Sequence, residues 1–212
     1  GGGTKRGRRM GKILMVNASP RAPRSNSKRY AGLFAQYWKG EAADYCEVTP
    51  GKREEICTRA GEYPDLLLVF PLYADGIPVT LLEWLKVLEK QELKQKPVVH
   101  VLINCGFLEA QQNLVAVDMV RLFCKENGFP YGATLCVGSG EAILNTPFVI
   151  LVKRKLKRMA KCIRAGKYEK ELVTMPLSKK TFLKASEKYW LAYGEKNRIG
   201  RAEMETMKIE GE

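Results

Sequence analysis

The sequence predicts an α/β protein built on a parallel sheet, and three observations carry that prediction. Residues 12–17, 65–70 and 97–103 are near-continuous apolar runs, as strands covered on both faces require. Stretches with helical periodicity separate the strand candidates, which makes βαβ units. Residues 13–29 place an apolar run, a small, polar and basic loop, and a helix pattern in that order. This is how an α/β protein presents backbone N–H groups to an anion.

Taken in order, strands are expected at 12–17, 44–48, 65–70, 97–103 and 131–137, with helices at 25–39, 51–61, 78–91 and 109–127. Right-handed crossovers then place helices on both faces of the sheet. Pro78 stands in the first turn of the third helix, where its missing N–H costs nothing. In the fourth helix, Val115, Met119, Leu122 and Phe123 follow the spacing of one apolar face, and Asn127-Gly128 then Pro130 signal its end. A fifth helix is expected at about 148–165, with Val152, Leu156, Met159, Ala160 and Ile163 as its buried stripe and seven Lys/Arg over the rest. A polar stretch follows at 166–180, then a last helix at about 178–197 carrying Phe182, Tyr189, Trp190 and Tyr193, outside a five-stranded core.

The chain of 212 residues suits one α/β domain with an appendage, and 45% hydrophobic content supplies its core. No apolar run reaches the roughly 18–20 residues that span a bilayer. Residues 1–10, GGGTKRGRRM, lack the apolar stretch of a secretory signal and read as a tag remnant or disordered extension. The six cysteines form no C-x-x-C pair, so reduced, packed thiols in a cytoplasmic protein are expected and no metal site is. The net charge of +13 is concentrated: four Lys/Arg lie in residues 1–10, and residues 151–180 hold eleven Lys/Arg against two Glu, leaving the remainder near neutral.

In an open parallel sheet, ligands bind beyond the carboxyl ends of the strands, near the point where strand order reverses. After the first strand, Ser19, Ser25, Asn26 and Ser27 offer side-chain donors to a phosphate beside the first helical N–H groups, and Arg21 and Arg24 add charge. An ordinary N-cap by Ser25 or Ser27 with solvated arginines explains the same residues. Neither a Walker A pattern nor G-x-G-x-x-G is present, which disfavours an ATPase or a dinucleotide-fold dehydrogenase. After the third strand, Pro71-Leu72-Tyr73-Ala74-Asp75-Gly76-Ile77-Pro78 is stiffened by two prolines, small enough at Ala74 and Gly76 for a flat ring to approach, and walled by Tyr73. It serves equally as a rigid connection. After the fourth, Asn104 and the N–H groups around Gly106 suit a polar ring edge, and Cys105 has no base beside it that would make it a nucleophile. After the fifth strand, Gly138-Ser139-Gly140-Glu141 is a permissive loop able to border the same cleft.

These three loops, in this order over residues 11–145, resemble those of the NADPH-dependent FMN reductase family of the flavodoxin-like superfamily. The resemblance implies a three-layer α/β/α sandwich with a five-stranded sheet of order 2-1-3-4-5 and a C-terminal helical extension. It further implies that Ser19, Arg21, Ser25, Asn26 and Ser27 hold the FMN phosphate. Pro71, Leu72, Tyr73, Ala74 and Asp75 would contact the ribityl chain and isoalloxazine, and Asn104, Cys105, Gly106 and Phe107 would border the ring's other side. Three positions depart from the family pattern: Ala18 replaces a glycine, the Arg21–Asn26 loop is one residue longer, and Glu83 stands where a lysine is frequent.

The expected organisation is an FMN-binding domain over residues 11–166 and the extension over 167–212. The expected function is that of an NAD(P)H-dependent oxidoreductase passing a hydride from nicotinamide to FMN and on to a flavin, quinone or similar acceptor. No residue is assigned as general acid or base, because the cofactor carries the chemistry. The alternative is an electron carrier or flavin-binding regulatory protein without nicotinamide turnover. A homodimer is expected, and nucleic acid is not an expected partner.

Overall fold

The structure, a computed structural model, describes residues 11–73, 76–178 and, beyond these, 180, 181, 184, 187, 188, 191 and 192. Six strands form one parallel sheet: β1 (Lys12–Asn17), β2 (Ala42–Glu47), β3 (Asp65–Pro71), β4 (Val98–Asn104), β5 (Tyr131–Val137) and β6 (Lys170–Val173). Their order is β2-β1-β3-β4-β5-β6. The chain thus moves one way from β1 to β2 and the other way from β1 to β3, and the reversal falls at the end of β1.

Helices α1 (Asn26–Tyr37), α5 (Gly140–Leu144) and α6 (Val149–Ala165) pack on one face with Ile13, Met15, Leu67, Val69, Leu102 and Leu135. Helices α2 (Arg53–Ala60), α3 (Val79–Leu88) and α4 (Leu114–Asn127) pack on the other with Leu14, Val16, Leu66, Leu68, Val101 and Ile103. Alternate residues of each central strand therefore feed two separate cores, which is why β1, β3 and β4 carry near-continuous apolar runs.

Two sequence expectations are corrected. The sheet has six strands, not five: Lys170–Val173, expected within a polar stretch leading to a helical extension, pair in parallel with β5. As a short edge strand with Lys170 exposed and only Val173 buried, β6 has neither the apolar run nor the alternation that marks a central strand. The second concerns α4, where most of the apolar face read from the sequence is turned to solvent, only Phe123 of its four residues being half-buried against the core. Val115 is 67% exposed, Met119 43% and Leu122 55%, whereas Ala116, Val117, Val120 and Cys124 are buried. Two apolar stripes run along this helix, and the one with smaller side chains lies against the sheet. The α6 stripe is as expected, with Val152, Leu156, Met159, Ala160 and Ile163 all buried. The described residues from 180 to 192 are helical; Phe182, Tyr189, Trp190 and Tyr193 lie outside the described residues.

Candidate functional site

The loop after β1 is organised by Asn17, the fully buried last residue of that strand. Its side-chain amide donates its two protons to the Tyr45 hydroxyl at 3.0 Å and the Ser25 hydroxyl at 3.1 Å, with the Ala22 carbonyl 3.3 Å from the same nitrogen. Its carbonyl oxygen accepts the Ser19 N–H at 2.9 Å. The loop is thereby wrapped around one amide. Ser19 is buried, and its hydroxyl accepts the Arg21 N–H at 3.3 Å. Ser25 caps α1, accepting the Lys28 N–H at 3.2 Å and donating to Ala22. The first turn of α1 contains no acidic residue, and Arg21, Arg24, Lys28 and Arg29 are exposed around it. Both the helix dipole and the side-chain charge favour an anion there.

Ser27 and Asn104 join the first loop to the third. Ser27 is buried on the inner side of α1, and its hydroxyl accepts from the Asn104 amide at 3.3 Å. Asn104 ends β4, and its carbonyl accepts the Leu72 N–H at 2.7 Å. Pro71 stands opposite Asn104 in the β3–β4 register. One asparagine therefore ties the loops after β1, β3 and β4 together. Beyond Leu72, Tyr73 and Gly76 exchange backbone hydrogen bonds of 3.2 and 3.0 Å, closing a tight turn with Gly76 at φ 111°. A side chain at Gly76 would be strained. Tyr73 and Phe107 are both exposed aromatics at these loops, 36% and 41% accessible. Ala74 and Asp75 lie outside the described residues.

Of the remaining expected residues, Asn26 is half-buried at the start of α1 and Gly106 is exposed. Cys105 is buried; its thiol accepts from the Asn113 amide at 3.4 Å and contacts the Phe107 carbonyl oxygen at 3.7 Å. Burial pushes that thiol up from its ordinary pKa, which suits packing and not attack on a substrate. The site as a whole is an anion-favouring helix end at one side and an aromatic, glycine-containing pair of loops at the other.

No family model matches the sequence, and no curated protein matches it. Solved structures do. A structure of an NADH:FMN oxidoreductase in apo form superposes with TM-score 0.58 and 14% identity, covering 74% of this chain and 89% of the other. A flavodoxin from Streptococcus pneumonia TIGR4 gives 0.55 and 16%, covering 73% and 99%. An FMN-dependent NADH-azoreductase from Bacillus anthracis, solved with FMN, gives 0.53 and 12%, covering 73% and 99%. The fold is flavodoxin-like. At the carboxyl edge of this flavodoxin-like sheet, sequence reasoning missed several residues that shape the site. Asn17 was legible as a polar residue closing an apolar run, as Asn104 was. Tyr30, whose buried hydroxyl donates to the Gly140 carbonyl at 2.5 Å, gave no signal beyond an apolar helix position. Neither did Thr174, which donates to the Leu108 carbonyl from just beyond the unexpected sixth strand.

Proposed function

We propose that this protein is an FMN-dependent NAD(P)H oxidoreductase acting on a small acceptor such as a flavin or quinone, within the reducing environment of the cytoplasm. The observation that carries the reading is the convergence of three loops through Asn104, at the switch point of a sheet whose neighbours include an FMN-dependent azoreductase and an NADH:FMN oxidoreductase.

The residues present fit FMN. Ser25, Asn26 and Ser27 start the acid-free first turn of α1, and with Ser19 and Arg21 they would hold the phosphate. Pro71, Leu72, Tyr73, Ala74 and Asp75 would line the ribityl chain and one side of the ring. Asn104, Cys105, Gly106 and Phe107 would border the other. When bound, FMN supplies the redox chemistry, taking a hydride from nicotinamide and reducing the acceptor. The chain's part would be to bind and orient: the arginines would neutralise the phosphate, the aromatics would shield the ring from water, and loop N–H groups near Gly106 would donate to its polar edge.

A homodimer belongs to the same reading. Val79, Leu82, Val115, Met119 and Leu122 are exposed on α3 and α4, and Met119 Sδ lies 4.0 Å from where a side chain on Gly76 would begin. An apolar face therefore borders the ring loops, where a second subunit would cover both.

The test is the visible spectrum of the purified protein with FMN, followed by anaerobic addition of NADPH or NADH. Bound flavin that bleaches near 450 nm, roughly the oxidised-flavin band, is the expected result. Bound flavin that does not bleach with either nucleotide moves the protein to the electron carriers. No flavin uptake overturns the assignment of the three loops.

A further inference from the structure

The loop after β4 is held from behind by the segment that follows β6. Thr174 donates its hydroxyl proton to the Leu108 carbonyl. A threonine has one such proton, so in its 2.8 Å contact with Ser139 the serine is the donor. Ser139 Oγ in turn accepts the Met175 N–H at 3.4 Å. The chain of donors thus runs from Met175 through Ser139 and Thr174 to Leu108, joining the sixth strand to the third loop.

The backbone around Ser139 is shaped for this. It is the only non-glycine with positive φ among the described residues, at φ 48° and ψ 41°, a conformation that is strained for a residue with a side chain and persists only where the surroundings impose it. In that conformation its N–H donates to the Phe107 carbonyl at 2.6 Å, and the next N–H, of Gly140, donates to the Cys105 carbonyl at 2.8 Å. Gly138 lets the loop come this close: a Cβ there would lie 2.5 Å from the Leu108 oxygen and 2.7 Å from Thr174 Oγ1. Three carbonyls of residues 105–108 are therefore gripped from one side, while Phe107 stays exposed on the other.

We infer that Thr174 is a positioning residue, which through Leu108 and Ser139 fixes the 105–108 loop in a flavin-ready conformation. Its consequence for flavin rests on the reading above; the clamp itself does not. Without the clamp the loop would have to be ordered by the ligand, and affinity would fall by that ordering cost.

Hydrogen exchange on the flavin-free full chain, followed at the Ser139 and Gly140 amides, tests the clamp. Flavin titration of the same proteins tests its consequence. Thr174→Val is expected to speed exchange at both amides about tenfold and to weaken FMN binding about fivefold, corresponding to roughly 1 kcal/mol. Thr174→Ser, which keeps the hydroxyl, is expected to restore both. Should Thr174→Val fail to fold, Ser139→Gly removes the relay while easing the backbone, and the same two changes are expected of it. Exchange unchanged from wild type overturns the clamp. Faster exchange with unaltered FMN affinity overturns its role toward flavin. Wild-type protein that takes up no FMN overturns the functional reading and that role with it, and exchange still decides the clamp.

Discussion

His100 shows how an isolated titratable side chain becomes part of a core. It is the one histidine of the chain, fully buried in the middle of β4. Its Nδ1 accepts the Ala133 N–H at 2.8 Å, so Nε2 carries the proton and donates to Asp65 Oδ1, also at 2.8 Å. Both nitrogens are satisfied by the neutral ring, at the far end of the sheet from the loops. Burial holds its pKa below the ordinary value of 6.5, against the opposing pull of Asp65. The sign of the consequence follows. Above about pH 6.5 the ring is neutral folded or unfolded and contributes no slope. As pH falls through that value, the unfolded chain gains a proton that the folded ring refuses, so stability falls with acid. Thermal unfolding from pH 7.5 to 5.5 is expected to show a declining midpoint that is flatter in His100→Gln. Equal slopes in the two proteins would mean that His100 becomes charged without penalty in the fold.

At the scale of elements, what was legible followed burial on both faces. β1, β3 and β4 are covered on either side and announce themselves as apolar runs. α6 carries one apolar stripe against seven basic residues, so its facing was unambiguous. β6 was invisible because an edge strand of four residues with a lysine and a glutamate needs only its backbone to pair. The facing of α4 was misread because two stripes compete there, and only the tertiary structure chooses. The three loops were readable in order, but not the bonds that join them. Ser, Thr and Asn are generic loop residues, and the partners lie 77 positions apart for Ser27 and Asn104 and 66 for Leu108 and Thr174. The exposed α4 stripe carries its own prediction. Met119→Lys places a charge at the centre of that face without touching the buried stripe. Sedimentation of wild type is expected to give a dimer, and of this variant a monomer with an unchanged melting temperature. A wild-type monomer at tens of micromolar would remove the α3–α4 face as a subunit interface.

Over the whole molecule, the two long helices on one face of the sheet differ in charge from the three on the other. α1 and α6 together hold nine Lys/Arg and no acid. α2, α3 and α4 each balance, with Arg53 and Arg59 against Glu54 and Glu55, Lys86 against Glu83, and Arg121 and Lys125 against Asp118 and Glu126. Some of the basic charge is internal to the fold: Lys155 and Arg158 pair with Glu171 of β6, and Arg158 also with Glu169 just before it, pinning α6 to that strand. Of the rest, Arg154, Lys157 and Lys161 are exposed, while Arg164 is half-buried and donates to the Lys39 carbonyl at 3.4 Å. The upper end of this charge reaches the candidate site, because Arg29 donates to Asn145 in the turn ahead of α6 at 3.0 Å. A positive field on one side of the proposed flavin site would raise the local concentration of an anion carrying several phosphate charges, and salt screens such a field within about 8–10 Å. The triple variant Lys153→Glu, Arg154→Glu and Lys157→Glu is expected to lower kcat/KM for NADPH about three- to tenfold at 20 mM salt. The deficit should close by about 300 mM, where the field is screened. The matched variant on the balanced face, Lys86→Glu, Arg121→Glu and Lys125→Glu, changes net charge by the same amount and is expected to lose less than half as much. If both variants lose equally, net charge alone sets the capture rate and the segregation of basic residues onto α1 and α6 has no bearing on it.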